Sequence, residues 1–196
     1  MPEGLATERL TLRLAAPGME EAHVRFLQEN HARHLARWSP PPAPGFFTAP
    51  FWAERLAASV EERHADRSLR LVMQAAGSAP DSEILGTINY TNFVRGAFQA
   101  CHLGYQIARA HEGRGLMTEA LRAANAFVFD TVRMHRIMAN YRPENERSAR
   151  VLERLGFVKE GFARDYLFID GAWRDHVLTA LTHPHFDAAW LAPRAP

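Results

Sequence analysis

Polar and apolar residues alternate over residues 9–14, with Leu10, Leu12 and Leu14 on one side of an extended chain and Arg9, Thr11 and Arg13 on the other. That is the pattern of a half-buried strand. Pro17 and Gly18 end it, and Val24, Phe26 and Leu27 then take helical spacing towards Asn30 and on to about Ala36. Residues 39–50 form a proline-rich connector, bordered or occupied by Trp38, Phe46, Phe47, Phe51 and Trp52, and a second helix runs on to about Arg67. Strands are expected over 69–75, 84–93 and 100–107, the first two separated by the turn cluster at 77–81. From Leu116 the spacing is helical again: Leu116, Ala120, Ala123 and Phe127 share one face, and Met117, Leu121, Ala124 and Val128 the next. A helix apolar over so much of its girth is buried. A short strand over 136–141 follows, then a helix over 145–155 closed by Gly156. A hairpin over 158–169 and 173–181, turned at Asp170 and Gly171, completes the order. The order predicts one α/β domain with a mixed sheet and no internal repeat, over residues 1–183. Residues 184–196, with their prolines and alanines, read as a loosely held tail in which Trp190 is the one candidate for docking.

Composition narrows the class. A chain of 196 residues is long enough for one core to remove roughly 70–75% of the unfolded surface from water. Lys plus Arg at 23 against Asp plus Glu at 22 gives a formal charge of +1, which does not suit a basic nucleic-acid binder. The single cysteine, Cys101, has no internal disulfide partner. The first thirty residues carry Glu3, Glu8, Glu20 and Glu21 and no apolar leader core. No uncharged apolar run reaches about eighteen residues. These features lead us to expect a soluble, cytoplasmic protein, without membrane contact or sequence-specific nucleic-acid binding, either a monomer or a homodimer.

Candidate chemistry centres on the junction between the strand at 100–107 and the helix from Leu116. Gly113 and Gly115 alternate there in Glu112-Gly113-Arg114-Gly115-Leu116-Met117, which lets several amide N–H groups point outward at a helix N-terminus. Arg109 and Arg114 add positive charge, which suits a pyrophosphate. Taken alone the two glycines also fit a plain turn. Neither a Walker loop nor a dinucleotide fingerprint is present, since the Gly-Lys-Ser/Thr ending and a third glycine are missing.

Further motifs share the chain with this loop. They are His102 with Gly104-Tyr105-Gln106-Ile107, Gly113-Arg114-Gly115-Leu116-Met117, Asn145-x-x-Ser148 and Leu155-Gly156-Phe157. Together they resemble the GNAT superfamily of N-acetyltransferases. Val94-Arg95-Gly96, the run from His135 to Tyr141, Asp165-Tyr166-Leu167 and the run from Asp170 to His176 resemble its RimJ branch, the ribosomal-protein alanine N-acetyltransferases. The resemblance spans about Arg9 to Thr182. It implies a single-domain GNAT fold in which two central parallel strands of a mixed sheet splay to form an acetyl-CoA cleft. It also implies acetyl-CoA as co-substrate, without a metal, and transfer to the N-terminal amine (Ala or Ser) of a protein, a ribosomal protein being the expected partner.

The same resemblance assigns roles. Backbone groups of Leu103, Gly104, Tyr105, Gln106 and Ile107 would meet the pantetheine and thioester. Amides from Gly113 through Arg114, Gly115 and Leu116 to Met117 would hold the pyrophosphate beside Arg109. Glu112 departs from the family's Gln or Arg, so its carboxylate either points away or weakens the site by roughly 1 kcal/mol. Asn145 would contact the pantetheine arm, although its residue type and position equally mark a helix N-cap. Ser148 is the candidate acid for the departing thiolate. Asp165 is the candidate base, with an exposed strand charge as its plain alternative and Glu160 as its rival.

The remaining features divide between structure and acceptor binding. Trp38 and its aromatic loop, opposite Tyr90 and Asn92, could wall an acceptor groove or cap the core. Cys101 and His102 point to opposite faces of a strand and form no dyad, so Cys101 reads as core. His31-x-x-His34 and His183-x-His185 lack zinc-site spacing. Asp175 and His176 fit hairpin or subunit contacts, with acceptor binding still open. Two other functions remain compatible with the sequence: acetylation of a small-molecule amine, and a non-catalytic CoA-binding or ribosome-assembly module.

Overall fold

A computed structural model describes residues 4–191. Eight strands form one sheet in the order β1-β2-β3-β4-β5-β6-β8-β7. They are β1 (Leu5–Ala6), β2 (Leu10–Leu14), β3 (Leu69–Ala75), β4 (Gly86–Val94), β5 (Ala100–Ile107), β6 (Arg136–Tyr141), β7 (Val158–Ile169) and β8 (Ala172–Thr182). The four α-helices are α1 (Glu20–Asn30), α2 (Ala49–His64), α3 (Leu116–Asp130) and α4 (Glu146–Arg154). The α/β mixed sheet expected from the sequence is present, and all neighbours are antiparallel except β5 and β6.

Strand periodicity divides the core between the two sheet faces. Leu10, Leu12, Leu71, Met73, Ile88 and Tyr90 pack with Ala120, Leu121, Ala124 and Val128 of α3, and Leu152 of α4 closes the same layer. On the opposite face Val72 packs with Phe26 and Leu27 of α1 and Leu56 of α2. Gly86 is required where β4 crosses β5, because a Cβ there would lie 2.5 Å from the carbonyl oxygen of Gln106.

Three boundaries differ from the sequence expectation. The short strand β1 was not anticipated. The first helix continues through a π-helical turn over His31–Leu35 and a 3-10 turn over Ala36–Trp38, so the chain stays helical as far as Trp38. Helix α2 begins at Ala49 with Pro50 in its first turn, where a missing N–H costs nothing. At the C-terminus, the rings of Phe186 and Trp190 stand 5.5 Å apart, and each meets His183. Residues 192–196 of the expected tail lie outside the described residues.

One polar cluster links α2 to the sheet. Glu62 accepts hydrogen bonds from both terminal nitrogens of Arg55, from Ser68 and from Arg70. Hydrogen bonding from Arg55, ahead of the other contacts, holds the Glu62 carboxyl at about 2. A carboxyl with a depressed folded-state value stabilises fully above its unfolded value and loses that stabilisation as pH falls through the folded one. Glu62→Gln is therefore expected to lower stability at pH 7 by about 1–3 kcal/mol, allowing for partial solvent screening. The deficit should shrink as pH falls from 4.5 towards 2, which urea denaturation of both proteins across that range measures.

Candidate active site

Strands β5 and β6 pair only at Ala100–Arg136, Cys101–Ile137 and His102–Met138. Beyond His102 they separate, although β5 stays paired with β4 through Ile107 and β6 with β8 through Tyr141. The β6-facing edge of Leu103, Gly104, Tyr105, Gln106 and Ile107 is thereby left open. A cleft of about 1280 Å³ runs along this gap, lined by those five residues, by Asn140 and Tyr141 on the other rim, and by Asn145 and Ser148 of α4. An extended ligand laid there could complete the ladder as an added strand.

The glycine loop closes one end of the cleft. Gly113 and Gly115 have φ of +73° and +76°, and Gly115 is the left-handed N-cap of α3. That conformation directs the amides of the first helical turn at one point, a natural seat for a phosphate anion. Gly113, Gly115, Leu116, Met117 and Arg109 line the cleft. Arg114 is not among the lining residues; its carbonyl accepts a hydrogen bond from Arg9 at 3.0 Å. Arg9 also binds Glu119 of α3, so a residue read from sequence only as a strand charge braces the loop from behind.

Glu112 neither points away from the cleft nor stands in it as a free charge. It lines the cleft, pairs with Arg147 of α4, and lies 3.4 Å from Nε2 of His34. The same Nε2 is 3.2 Å from the carbonyl oxygen of Ile107. Both neighbours accept, so this nitrogen carries the proton and donates. The Glu112–Arg147 pair spans the cleft mouth, and neither partner could be matched to the other from sequence spacing.

Asn145 caps α4, its Oδ1 accepting from the amide of Ser148 at 3.1 Å. The capping role foreseen for it therefore coexists with its place in the cleft. Ser148 Oγ lies 2.8 Å from the hydroxyl of Tyr105, which also reaches the Ser148 carbonyl at 3.3 Å. Burial, more than any other influence, pushes the Tyr105 phenol above its ordinary value, so it stays a neutral donor. When Tyr105 gives its single proton to Ser148 Oγ, the shorter of its two contacts, the Ser148 hydroxyl proton is free to face the gap. The Tyr105 side chain was not singled out from sequence; a tyrosine on the strand facing the serine helix was the available signal.

Three expected site residues require correction. Tyr90 is fully buried on the α3 face and donates to Asn125 at 2.6 Å. Side chains on a strand alternate between faces, so Asn89 and Thr87 line the cleft instead. Asn92 is exposed, at φ +54° in an irregularity between Thr91 and Val94, and does not line the cleft. Asp165 is exposed at φ +47° where β7 breaks register between Ala163 and Leu167, with its amide bonded to Asp175. The bulge turns it from the cleft. The rival base Glu160 is paired with Arg136.

His176, left open from sequence, does line the cleft. Its Nδ1 lies 2.9 Å from the Arg174 carbonyl, which fixes that nitrogen as donor and leaves Nε2 basic. Nearby, Asn140 donates to the Tyr166 hydroxyl at 3.0 Å, and the Tyr166 ring packs on His176. Trp38, Phe46, Phe51 and Trp52 also line the cleft, while Phe46 and Trp52 pack on the α1–α2 core as well. The aromatic segment thus lines the cleft and caps the core at once. Cys101 is buried and its thiol is pushed up to about 12 by burial, as a core cysteine should be.

Comparison with known proteins agrees with this geometry. Residues 9–158 match the family model described as an acetyltransferase (GNAT) domain. The chain is 44% identical over 181 residues to the [Ribosomal protein uS5]-alanine N-acetyltransferase of Escherichia coli, covering 92% of this chain and 91% of that protein. A solved ribosomal-protein-S5-alanine acetyltransferase from Vibrio fischeri superposes with a TM-score of 0.87 at 35% identity, over 93% of this chain and 97% of the other. Mycobacterium smegmatis RimJ in complex with CoA-disulfide gives a TM-score of 0.81 at 31% identity, over 98% and 86% of the two chains.

Two outcomes follow from the site geometry. Ser148→Ala should lower kcat by about tenfold to a hundredfold with the Kd for acetyl-CoA nearly unchanged, because its hydrogen bond matters as charge develops on sulfur. Tyr105→Phe should follow in the same direction by a smaller factor. Rapid-quench turnover together with calorimetric titration separates the two quantities. Glu112→Gln should release Arg147 towards the phosphates and tighten CoA binding by less than tenfold, with a gain that fades as salt rises. Titrations at low and high ionic strength measure it.

Proposed function

Because the chain belongs to the GNAT acetyltransferase family, we propose that it transfers acetyl from acetyl-CoA to the N-terminal amine, on alanine or serine, of a ribosomal protein. The observation that carries this reading is the open β5 edge in a chain 44% identical, over nearly its whole length, to the uS5-alanine enzyme of E. coli. Acetyl-CoA supplies an activated acyl carbon and a thiolate leaving group. The open edge and the left-handed glycine loop fit its pantetheine and pyrophosphate.

This chain's residues divide the work. Amides of Leu103–Ile107 polarise the thioester carbonyl, and amides from Gly113 to Met117 with Arg109 hold the diphosphate. The neutral amine forms the new C–N bond, and the C–S bond breaks. Ser148, backed by Tyr105, gives a proton to sulfur and is reprotonated through solvent, which balances the proton that the amine loses. The proton lost from the amine passes to Nε2 of His176, directly or through water. An α-amine has an ordinary pKa of about 7.7–8, so much of it is neutral near pH 7.5 and a strong base is unnecessary.

Steady-state thiol release with Ala-led and Ser-led peptides should show turnover. Turnover with polyamines or free amino acids alone would point to a small-molecule acceptor, and none with any amine to a CoA-binding module. Asp165→Asn should leave kcat/KM as in the wild type, whereas His176→Gln should lower it about tenfold or more. The reverse ranking would return the base role to Asp165.

A further inference from the structure

The acceptor side of the cleft carries a second charged feature that acetyl transfer does not use. Arg70 of β3 is the register partner of Asn89 on β4, and Asn89 is the partner of Gly104 on β5. Cross-strand partners share a sheet face, so Gly104, Asn89 and Arg70 form one row leading outward from the reaction centre. All three line the cleft. At Gly104 nothing lies within 4 Å of where a Cβ would stand, which leaves the inner end of the row open to an acceptor.

The outer end of the row is cationic. Arg70 uses Nε to bind Glu62 at 3.2 Å, and its two terminal nitrogens have no hydrogen-bond partner among the described residues. Arg55 lines the cleft beside it, with its own terminal nitrogens turned to Glu62. Glu62 itself does not line the cleft. Among the described lining residues the carboxylates are Glu112, Glu144 and Glu146, which belong to the glycine-loop and α4 end. Arg70 therefore faces this end with two open nitrogens, beside an Arg55 that is engaged with the one carboxylate behind the pair, a net positive floor. Burial, followed by the charge of Arg55, works against the cationic form of Arg70, a penalty that an anion at the unpartnered nitrogens would relieve.

We propose that Arg70, supported by Arg55, forms a specificity subsite for an acidic side chain of the acceptor peptide, two to four residues from the acetylated amine. The distance sets the position: two inter-strand spacings separate Gly104 from Arg70, about 10 Å, and an extended peptide covers about 3.3 Å per residue. Asn89, midway along the row and with no side-chain partner among the described residues, can bond the peptide backbone between them. A planar guanidinium with two terminal nitrogens available matches a carboxylate in bidentate geometry. The subsite rests on the acetylation reading above only in taking a peptide as the acceptor.

The experiment compares Ala-led peptides carrying Glu at position 3, 4 or 5 with the corresponding Gln peptides. Affinity is measured by fluorescence anisotropy on the CoA-loaded enzyme, and turnover by thiol release. In the wild type at least one Glu peptide should bind about tenfold more tightly than its Gln counterpart, with a matching fall in KM and little change in kcat. Arg70→Gln should erase the difference, Arg70→Lys should keep part of it, and added salt should narrow it. Absence of turnover with every peptide would sink the acetylation reading while the affinity comparison still decides the subsite. Equal affinities for Glu and Gln peptides in the wild type, or no binding of any Glu peptide, overturns the proposal.

Discussion

The structure depends on how little holds β5 to β6. Three register pairs join the two halves of the sheet, and each half is secured from its outer side by an antiparallel ladder, β4 on β5 and β8 on β6. Sheets twist, and two halves tied at one end only can diverge at the other without losing their own ladders. The cost is a row of backbone groups left without strand partners, each worth about 1–3 kcal/mol if buried unsatisfied. The cleft keeps them solvated until a ligand that can act as a strand replaces the water. The same defect in the sheet is thus what makes it a binding site.

Everything around the gap either tolerates it or uses it. Helix α3 can start at the gap's edge because Gly115 adopts φ +76°, and Arg9 ties the loop to α3 through Glu119. Helix α4 brings Asn145 and Ser148 to the opposite rim, capped by Asn145 itself. The Tyr105 hydroxyl, reaching from β5 to α4, is the direct polar contact between the open strand and the serine helix. Glu112 and Arg147 join the glycine loop to the same helix. A carboxylate beside a phosphate site is then compatible with anion binding, since its charge is already matched by a cation that can turn to either partner.

The elements were legible because periodicity and punctuation are local. Leu10, Leu12 and Leu14 marked β2, the apolar girth of α3 marked a buried helix, and Asp170-Gly171 marked the last hairpin, where φ is positive at both residues. The glycine turn at Gly113 and Gly115 and the N-cap at Asn145 were readable for the same reason, whereas Ser148 came only through the family resemblance. Tyr90 and Asp165 were not. β4 is covered on both faces, so alternation alone did not say which face meets the cleft, and Tyr90 went to the core while Asn89 lines the cleft. Asp165 sits in a bulge whose extra residues break the period-two rule. The pairs Glu112–Arg147 and Tyr105–Ser148 join residues 35 and 43 positions apart, and no local pattern encodes them.

The correction at Asp165 also bears on which acceptor the site favours. A lysine side chain, with an ordinary value of about 10.4, would need a base able to remove a proton from an almost wholly charged amine, whereas an α-amine near 8 already has a substantial neutral fraction ready to attack. Among the described residues the acids that line the cleft stand on its glycine-loop and α4 side, away from Gly104, and its far end carries Arg55 and Arg70. A nearby cation disfavours the ammonium form of any amine that enters. An environment that supplies an imidazole and positive charge, with no strong carboxylate base, therefore selects for an acceptor of low intrinsic basicity. On electrostatic grounds alone the site is better matched to a peptide N-terminus than to a lysine or a polyamine, and the sheet row from Gly104 to Arg70 gives the rest of that peptide somewhere to lie.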